Sequence, residues 1–414
     1  MNNKAVQKYL QHYAEAEINA LTEWPADCCY QHVVLIPAYQ ESVSFLQNLL
    51  TAPWFQSGVL VILIINQPDN QTNSTSQQEL CNFALNSGSL RWKAENLTLI
   101  QPAPLHSSTS DSCGHLLLVN RFEQGIPVKQ GVGLARKIGA DIAVSLIARG
   151  NITTPWICST DADAWLPDNY FSPLATLSPE YVAACYPFEH IAGPNSDPEV
   201  TVATLTYQRA MQYYVAGLCY AGSSYAFFAL GSTLAFKAEA YAAVRGFPKR
   251  AAGEDFYLLN KLAKIGHISQ LSNNTLIRLQ ARLSDRVPFG TGVSAANIIA
   301  LNRQNQPFCY YHPTIFINLR NLLRHFEQLW QVKHQPEPWL QELPDSSTHA
   351  LYKLGFLSML QKLSQQCRSK QQFDHQLTGW FDGLKTLQFI HLLRDSDYPN
   401  LPLETAIQQA KFTI

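Results

Sequence analysis

Short unbroken apolar runs alternate with amphipathic stretches over the first two-thirds of this chain. Runs at 32–37, 59–65, 97–101, 115–119, 155–160, 181–186 and 232–237 have the length and the flanking turn residues of buried strands. Between them, helical spacing dominates: Leu134, Ile138, Ile142 and Leu146 form one stripe, and a further helix starts near Ser42 to Ser44, behind the proline that closes the first run. Buried strands alternating with helices predict an α/β fold with a mostly parallel sheet and helices on both faces. An N-terminal helix is expected over about residues 3–20. After residue 290 the pattern turns helical, with three- and four-residue apolar spacing in 315–330, 350–365, 373–392 and 403–411. The expected divisions are therefore a helical extension (1–30), an α/β domain (31–290) and a helical region (291–414). Polar stretches from Gln67 to Gln78 and from Pro102 to Cys113 read as long loops, the second as a surface insertion rather than a lid. No repeat or heptad is evident.

At 414 residues and a net charge of -1, the chain can bury a large core and has no electrostatic footprint for nucleic acid. Nine scattered cysteines, several inside apolar runs, fit reduced thiols better than a disulfide framework. The N-terminal sequence lacks the apolar stretch of a secretory signal, so a cytoplasmic setting is expected. Residues 210–236 carry no charge and are long enough to cross a bilayer. They also contain Gln212, Ser223, Ser224, Ser232 and Thr233 and are rich in tyrosine, so no transmembrane span is expected.

The most informative chemistry is Asp161-Ala162-Asp163, directly behind the run that ends the fifth expected strand. In extended geometry two carboxylates one residue apart point the same way, and can hold one hard divalent cation against a substrate's phosphates. Asp161 is the expected nucleotide contact and Asp163 the expected metal ligand, with Mg²⁺ or Mn²⁺ suited to oxygen ligation. A third protein ligand is not obvious; His190 and His312 are candidates. Gly131-Val132-Gly133 opens the helix that carries Arg136 and Lys137, a helix start that favours a diphosphate. Lys137 can equally be a solvated side chain. Gly253-Glu254-Asp255 sets two carboxylates at a loop-to-helix junction, where the alternative is an N-capping pair. Arg278, Arg282 and Arg286, four residues apart before a glycine-rich turn, fit either a helix face or a site for a diphosphate or anionic acceptor, with Arg282 and Arg286 favoured.

Taken together, the first strand Val34-Leu35-Ile36-Pro37-Ala38-Tyr39-Gln40-Glu41, the helix Gly131 to Gly139, the Asp161/Asp163 pair, Gly231-Ser232-Thr233-Leu234-Ala235-Phe236 and Glu254-Asp255 resemble family 2 glycosyltransferases of the GT-A fold, over roughly residues 32–266. The resemblance implies a nucleotide-diphosphate sugar donor, with Pro37, Tyr39 and Glu41 at base and ribose and Arg136 near the nucleotide. It also implies Asp255 as the general base toward an acceptor hydroxyl, and Glu254 orienting that base or binding acceptor. The acidic residue usual at the end of the second strand is replaced by Asn66, which can still hydrogen-bond a base edge. The acceptor, whether saccharide, small metabolite or lipid-linked, is not indicated. Inversion is the expected outcome. A retaining synthase acting on glycerate or phosphoglycerate would use the same carboxylate pair without a base. A sugar-phosphate nucleotidyltransferase would need a glycine-rich, basic loop that 37–45 lacks. A non-catalytic sugar-binding protein would not need Asp161, Asp163 and Asp255 together.

Overall fold

The computed structural model describes residues 4–56, 58–103, 114–193, 196–284 and 286–414. The apolar runs form strands as expected, and in chain order the strands are β1 (His32–Ala38), β2 (Val59–Pro68), β3 (Gly88–Ala94), β4 (Leu97–Pro102), β5 (His115–Ile126), β6 (Trp156–Ser159), β7 (Ala164–Trp165), β8 (Tyr181–Cys185), β9 (Phe188–Ala192), β10 (Leu234–Lys237), β11 (His267–Gln270), β12 (Ile277–Ala281), β13 (Cys309–Tyr310) and β14 (Leu401–Pro402). Nine of them make one sheet in the order β11-β8-β10-β6-β1-β2-β5-β4-β3. β1 runs parallel to β2 and β6, β2 to β5 and β11 to β8, while β4 and β10 are antiparallel to their neighbours. The sheet is thus mostly parallel, and β1 and β2, at its centre, are buried along almost their whole length. Strands β3, β7, β9, β11, β12, β13 and β14 were not expected. β3 and β11 lie at the two sheet edges with largely solvent-facing residues, β9 and β12 alternate buried with less buried positions, and β7, β13 and β14 are two residues long, so none presents an unbroken apolar run.

The helices of the first 325 residues are α1 (Lys4–His12), α2 (Val43–Thr51), α3 (Thr75–Asn86), α4 (Gly131–Arg149), α5 (Ser172–Ala175), α6 (Pro198–Ala221), α7 (Ala238–Ala243), α8 (Glu254–Leu262), α9 (Thr291–Arg303) and α10 (Pro313–His325). Helix α4 is buried almost continuously because it lies hard on β1 and β2. A Cβ at Gly139 would stand 2.8 Å from Ile64 Cδ1 and 3.2 Å from Leu35 Cβ, so glycine sets this spacing. The loop expected after Gln67 is shorter than its polarity suggested, since β2 continues to Pro68 and α3 begins at Thr75. Residues 104–113 of the second expected loop lie outside the described residues.

The chain divides into two compact units. The first comprises 1–191, 229–280 and 286–289 and holds the nine-stranded sheet; the second comprises 192–228, 281–285 and 290–414. Helix α6 therefore groups with the C-terminal helices and not with the α/β body. Its residues Tyr213 and Leu218 join one apolar core with Phe316, Leu319, Phe356 and Phe389, and Gly217 leaves room for the Phe316 ring. Asp197 caps α6 by accepting from Glu199 N, and Gly222 ends it in the left-handed conformation. Among the described residues no helix is long and apolar enough to cross a membrane. In place of the single helix expected over 3–20, the N-terminal residues form α1 and a 3₁₀ helix (Ala16–Glu23), both within the first unit.

Candidate active site

Open α/β sheets bind ligands at the carboxyl ends of their strands. At that edge β6 ends in Ser159, and the chain continues through Thr160 and Asp161 into a tight turn in which Ala164 N donates to Asp161 O at 3.2 Å. The Asp161-Ala162-Asp163 triplet is thus in a turn, and Ala162 is buried; the extended geometry assumed for the two carboxylates does not hold. Turn residues keep an acidic pair at the strand end, but the shared direction no longer follows from a two-residue period.

Arg136, on α4, organises this edge. Its buried guanidinium donates from Nη2 to Asp161 Oδ1 at 2.5 Å, from Nε to Glu254 Oε1 at 2.8 Å and from Nη1 to Ser159 Oγ at 2.7 Å. Ser159 Oγ in turn donates to Gly231 O at 3.0 Å. The guanidinium lies flat against Gly231: a Cβ there would stand 2.3 Å from Nη2 and 2.7 Å from Cζ. Burial opposes the charge on Arg136, but Asp161, Glu254 and Asp255 outweigh it and hold the group protonated. With its side chain 4 % exposed, Arg136 is spent on these partners rather than open to solvent. Ser159 and Gly231 were not singled out from sequence as partners of this arginine; a small polar residue at the end of a buried strand was the available signal.

Gly253, at φ +74°, turns the chain into α8 with no side-chain cap, so the acidic doublet is not an N-capping pair. Glu254 is buried and spent on Arg136. Asp255, partly buried, accepts from Phe256 N at 2.7 Å. Burial, and next the Glu254 carboxylate, push its pKa up to about 7, against the pull of the Phe256 amide and of Arg136. A carboxylate poised there can take a proton near neutral pH.

At the end of β1 the Tyr39 hydroxyl donates to Gln71 Oε1, and Arg286 Nη1 donates to Tyr39 O at 2.6 Å and pairs with Glu41. Pro37 lies in β1, paired with Ile64. Asn66, buried, turns its amide nitrogen to Ala38 O and Ile64 O, 3.2 Å from each, and so ties the ends of β1 and β2 together.

The structure separates the remaining candidates. Gly131 and Gly133 do not leave the start of α4 open to a diphosphate: Gly133 N donates to Arg250 O at 2.9 Å, and Cβ atoms at the two glycines would meet Ala251 and the 248–250 backbone. Lys137 is not solvated; it is buried on Tyr9, Tyr13 and Asp141. The three arginines share no helix face, since Arg278 lies exposed in β12 on Glu189, Arg282 follows that strand in the second unit, and Arg286 belongs to the first. Asp285 lies outside the described residues. His312 is the N-cap of α10, its Nδ1 accepting from Thr314 N at 3.2 Å, and sits in the second unit. His190 is buried in β9 against the Phe188 ring. Among the described residues no three His, Cys, Asp or Glu side chains gather as a metal site.

No family model matches this chain, and no curated protein matches it in sequence. Solved structures similar to it include S. aureus TarS 1–349 in complex with UDP-GlcNAc, 12 % identical over 88 % of this chain and 91 % of that one, with a TM-score of 0.38. Another is the mannosyltransferase PcManGT from Pyrobaculum calidifontis in complex with GDP-Man and Mn²⁺, 14 % identical over 92 % of this chain and 94 % of that one, with a TM-score of 0.36. Likeness this loose transfers no activity, and the chemistry rests on the residues above.

Proposed function

We propose that this protein is a glycosyltransferase that moves a sugar from a nucleotide-diphosphate donor to an acceptor hydroxyl with inversion. The observation that carries the reading is the buried Arg136, which ties a strand-end carboxylate, Asp161, to Glu254 and thereby to the neighbouring Asp255, whose pKa stands near 7. Donor chemistry and acceptor chemistry need separate carboxylates at fixed spacing, and one rigid guanidinium supplies that spacing.

In this reading the end of β1, with Tyr39 and Glu41 held by Arg286, receives the nucleoside. The acceptor hydroxyl loses its proton to the Asp255 carboxylate as its oxygen attacks the anomeric carbon from the face opposite the diphosphate. Retention would leave a carboxylate of this basicity without a role. Asp163 and the partly exposed Asp161 suit Mg²⁺ or Mn²⁺ as oxygen ligands of an ion whose shell the donor phosphates would complete. Such an ion would neutralise charge on the departing nucleoside diphosphate. The cysteines among the described residues are all free, which fits a reducing, cytoplasmic setting.

A thermal-shift panel of nucleotide sugars, with and without Mn²⁺, tests the reading. One donor class should stabilise the protein, by about 2.7 kcal/mol at a hundredfold excess over Kd, and more strongly with the metal. Indifference to every nucleotide sugar would overturn it. Proton NMR of the anomeric product then decides inversion.

A further inference from the structure

The segment that leads into Gly253-Glu254-Asp255 is held from the N-terminus of the chain, through a buried polar cluster that the proposed chemistry does not use. Asp141, fully buried on α4, accepts from Tyr9 OH at 2.6 Å, Tyr241 OH at 3.1 Å, Glu15 N at 2.8 Å and Lys137 Nζ at 2.7 Å. Lys137 Nζ also donates to Tyr9 OH and to Tyr13 O, each at 2.8 Å. A buried ion pair stabilises a fold less than apolar residues of the same volume would; what this one secures is the place of residues 9–15 beside α4.

Those residues grip the turn after α7. Arg245 and Gly246 are consecutive left-handed residues at φ +63° and +65°, a conformation that disfavours arginine. The Arg245 guanidinium lies 4.7 Å from the Tyr13 ring centre, and Lys249 pairs with Glu15 Oε1 at 3.1 Å. Gly246 packs against Tyr9, whose hydroxyl would lie 2.5 Å from an added Cβ. From α8, Lys261 Nζ donates to Val244 O at 2.9 Å and to Gly246 O. Four residues further on, Arg250 O accepts from Gly133 N, next to the helix turn that carries Arg136. The chain reaches Gly253 only after these restraints.

We infer that residues 9–15 form a positioning element for the proposed base: they hold the 244–251 turn in a conformation it would not keep alone, and so set where Asp255 stands. The inference rests on the glycosyltransferase reading for its catalytic half, while its mechanical half can be measured without substrate. Tyr13→Leu removes the ring under Arg245 and leaves the Tyr13 carbonyl on Lys137. Hydrogen–deuterium exchange of the amides of 253–258 should then quicken several-fold. Turnover should fall about tenfold with donor Kd unchanged, in keeping with the sensitivity of transfer steps to small displacements. Adding Arg245→Gly, which takes the left-handed turn without strain, should restore both. Unchanged exchange in Tyr13→Leu would overturn the inference whatever reaction the protein performs. Faster exchange with unaltered kcat, or a parallel loss of donor affinity, would overturn the positioning role and leave the glycosyltransferase reading standing.

Discussion

Asp255→Asn should make the protein more stable at neutral and alkaline pH while abolishing most transfer. An unfolded aspartate titrates near 3.8, whereas Asp255 in the fold titrates near 7, chiefly because burial disfavours its charge and next because Glu254 repels it. Between those values the folded protein keeps a proton that the unfolded chain has released. Stability therefore falls as pH rises from about 4 to about 7, and the penalty is complete above 7. About three pH units at about 1.4 kcal/mol each set a ceiling of about 4 kcal/mol. Asp255 is only partly buried, so we expect about 1–3 kcal/mol after solvent screening. Asparagine keeps a carbonyl for the Phe256 amide and carries no charge. The variant should therefore melt higher than wild type at pH 8 by about 2–4 °C per kcal/mol. The difference should vanish near pH 4. Differential scanning calorimetry across this range measures it. Transfer should drop about 10²- to 10⁴-fold with donor affinity retained, and the wild-type rate should rise with pH through about 7 to a plateau. A variant less stable than wild type at pH 8, or one with full transfer activity, would refute the assignment of a destabilised carboxylate acting as base.

Three further outcomes are expected. Gly231→Ala should cost about 2–4 kcal/mol, because its methyl group would stand 2.3 Å from Nη2 of an Arg136 guanidinium that its three nitrogens tie to Asp161, Glu254 and Ser159; unaltered melting would show that the guanidinium is not clamped. Asp163→Asn should remove most of the Mn²⁺-dependent part of donor binding in calorimetry, since an amide oxygen is a far weaker ligand for a hard divalent cation than a carboxylate. Undiminished metal dependence would remove Asp163 from the ligand set. Arg286→Ala takes the guanidinium from Glu41 and the Tyr39 carbonyl, and should raise donor Kd about tenfold or more while leaving the base's pH profile in place, as loss of a charged hydrogen-bonding partner predicts. Unchanged donor affinity would detach the end of β1 from nucleoside binding.

The residues by themselves determined the α/β body, because short apolar runs rich in Val and Ile, such as 59–65, suit strands buried on both faces, and the carboxyl-edge placement of Asp161 and of Tyr39 to Glu41 follows from where those runs stop. They also marked Asp255 as chemically notable. Only the tertiary structure decided what the arginines and lysines do. Arg136 and Lys137 are neighbours on one helix and look alike in sequence, yet one binds the two halves of the candidate site and the other anchors the N-terminus. Arg278, Arg282 and Arg286 have helical spacing, but pairing of 277–281 with its neighbouring strands overrides it. The glycines of α4 suggested an anion site and turned out to be the bed of the 248–251 turn, since close approach by backbone and close approach by ligand require the same missing side chain. Local pattern reports which surface a segment must bury; which charge meets which is settled by contacts between residues more than a hundred positions apart, as between Arg136 and Glu254.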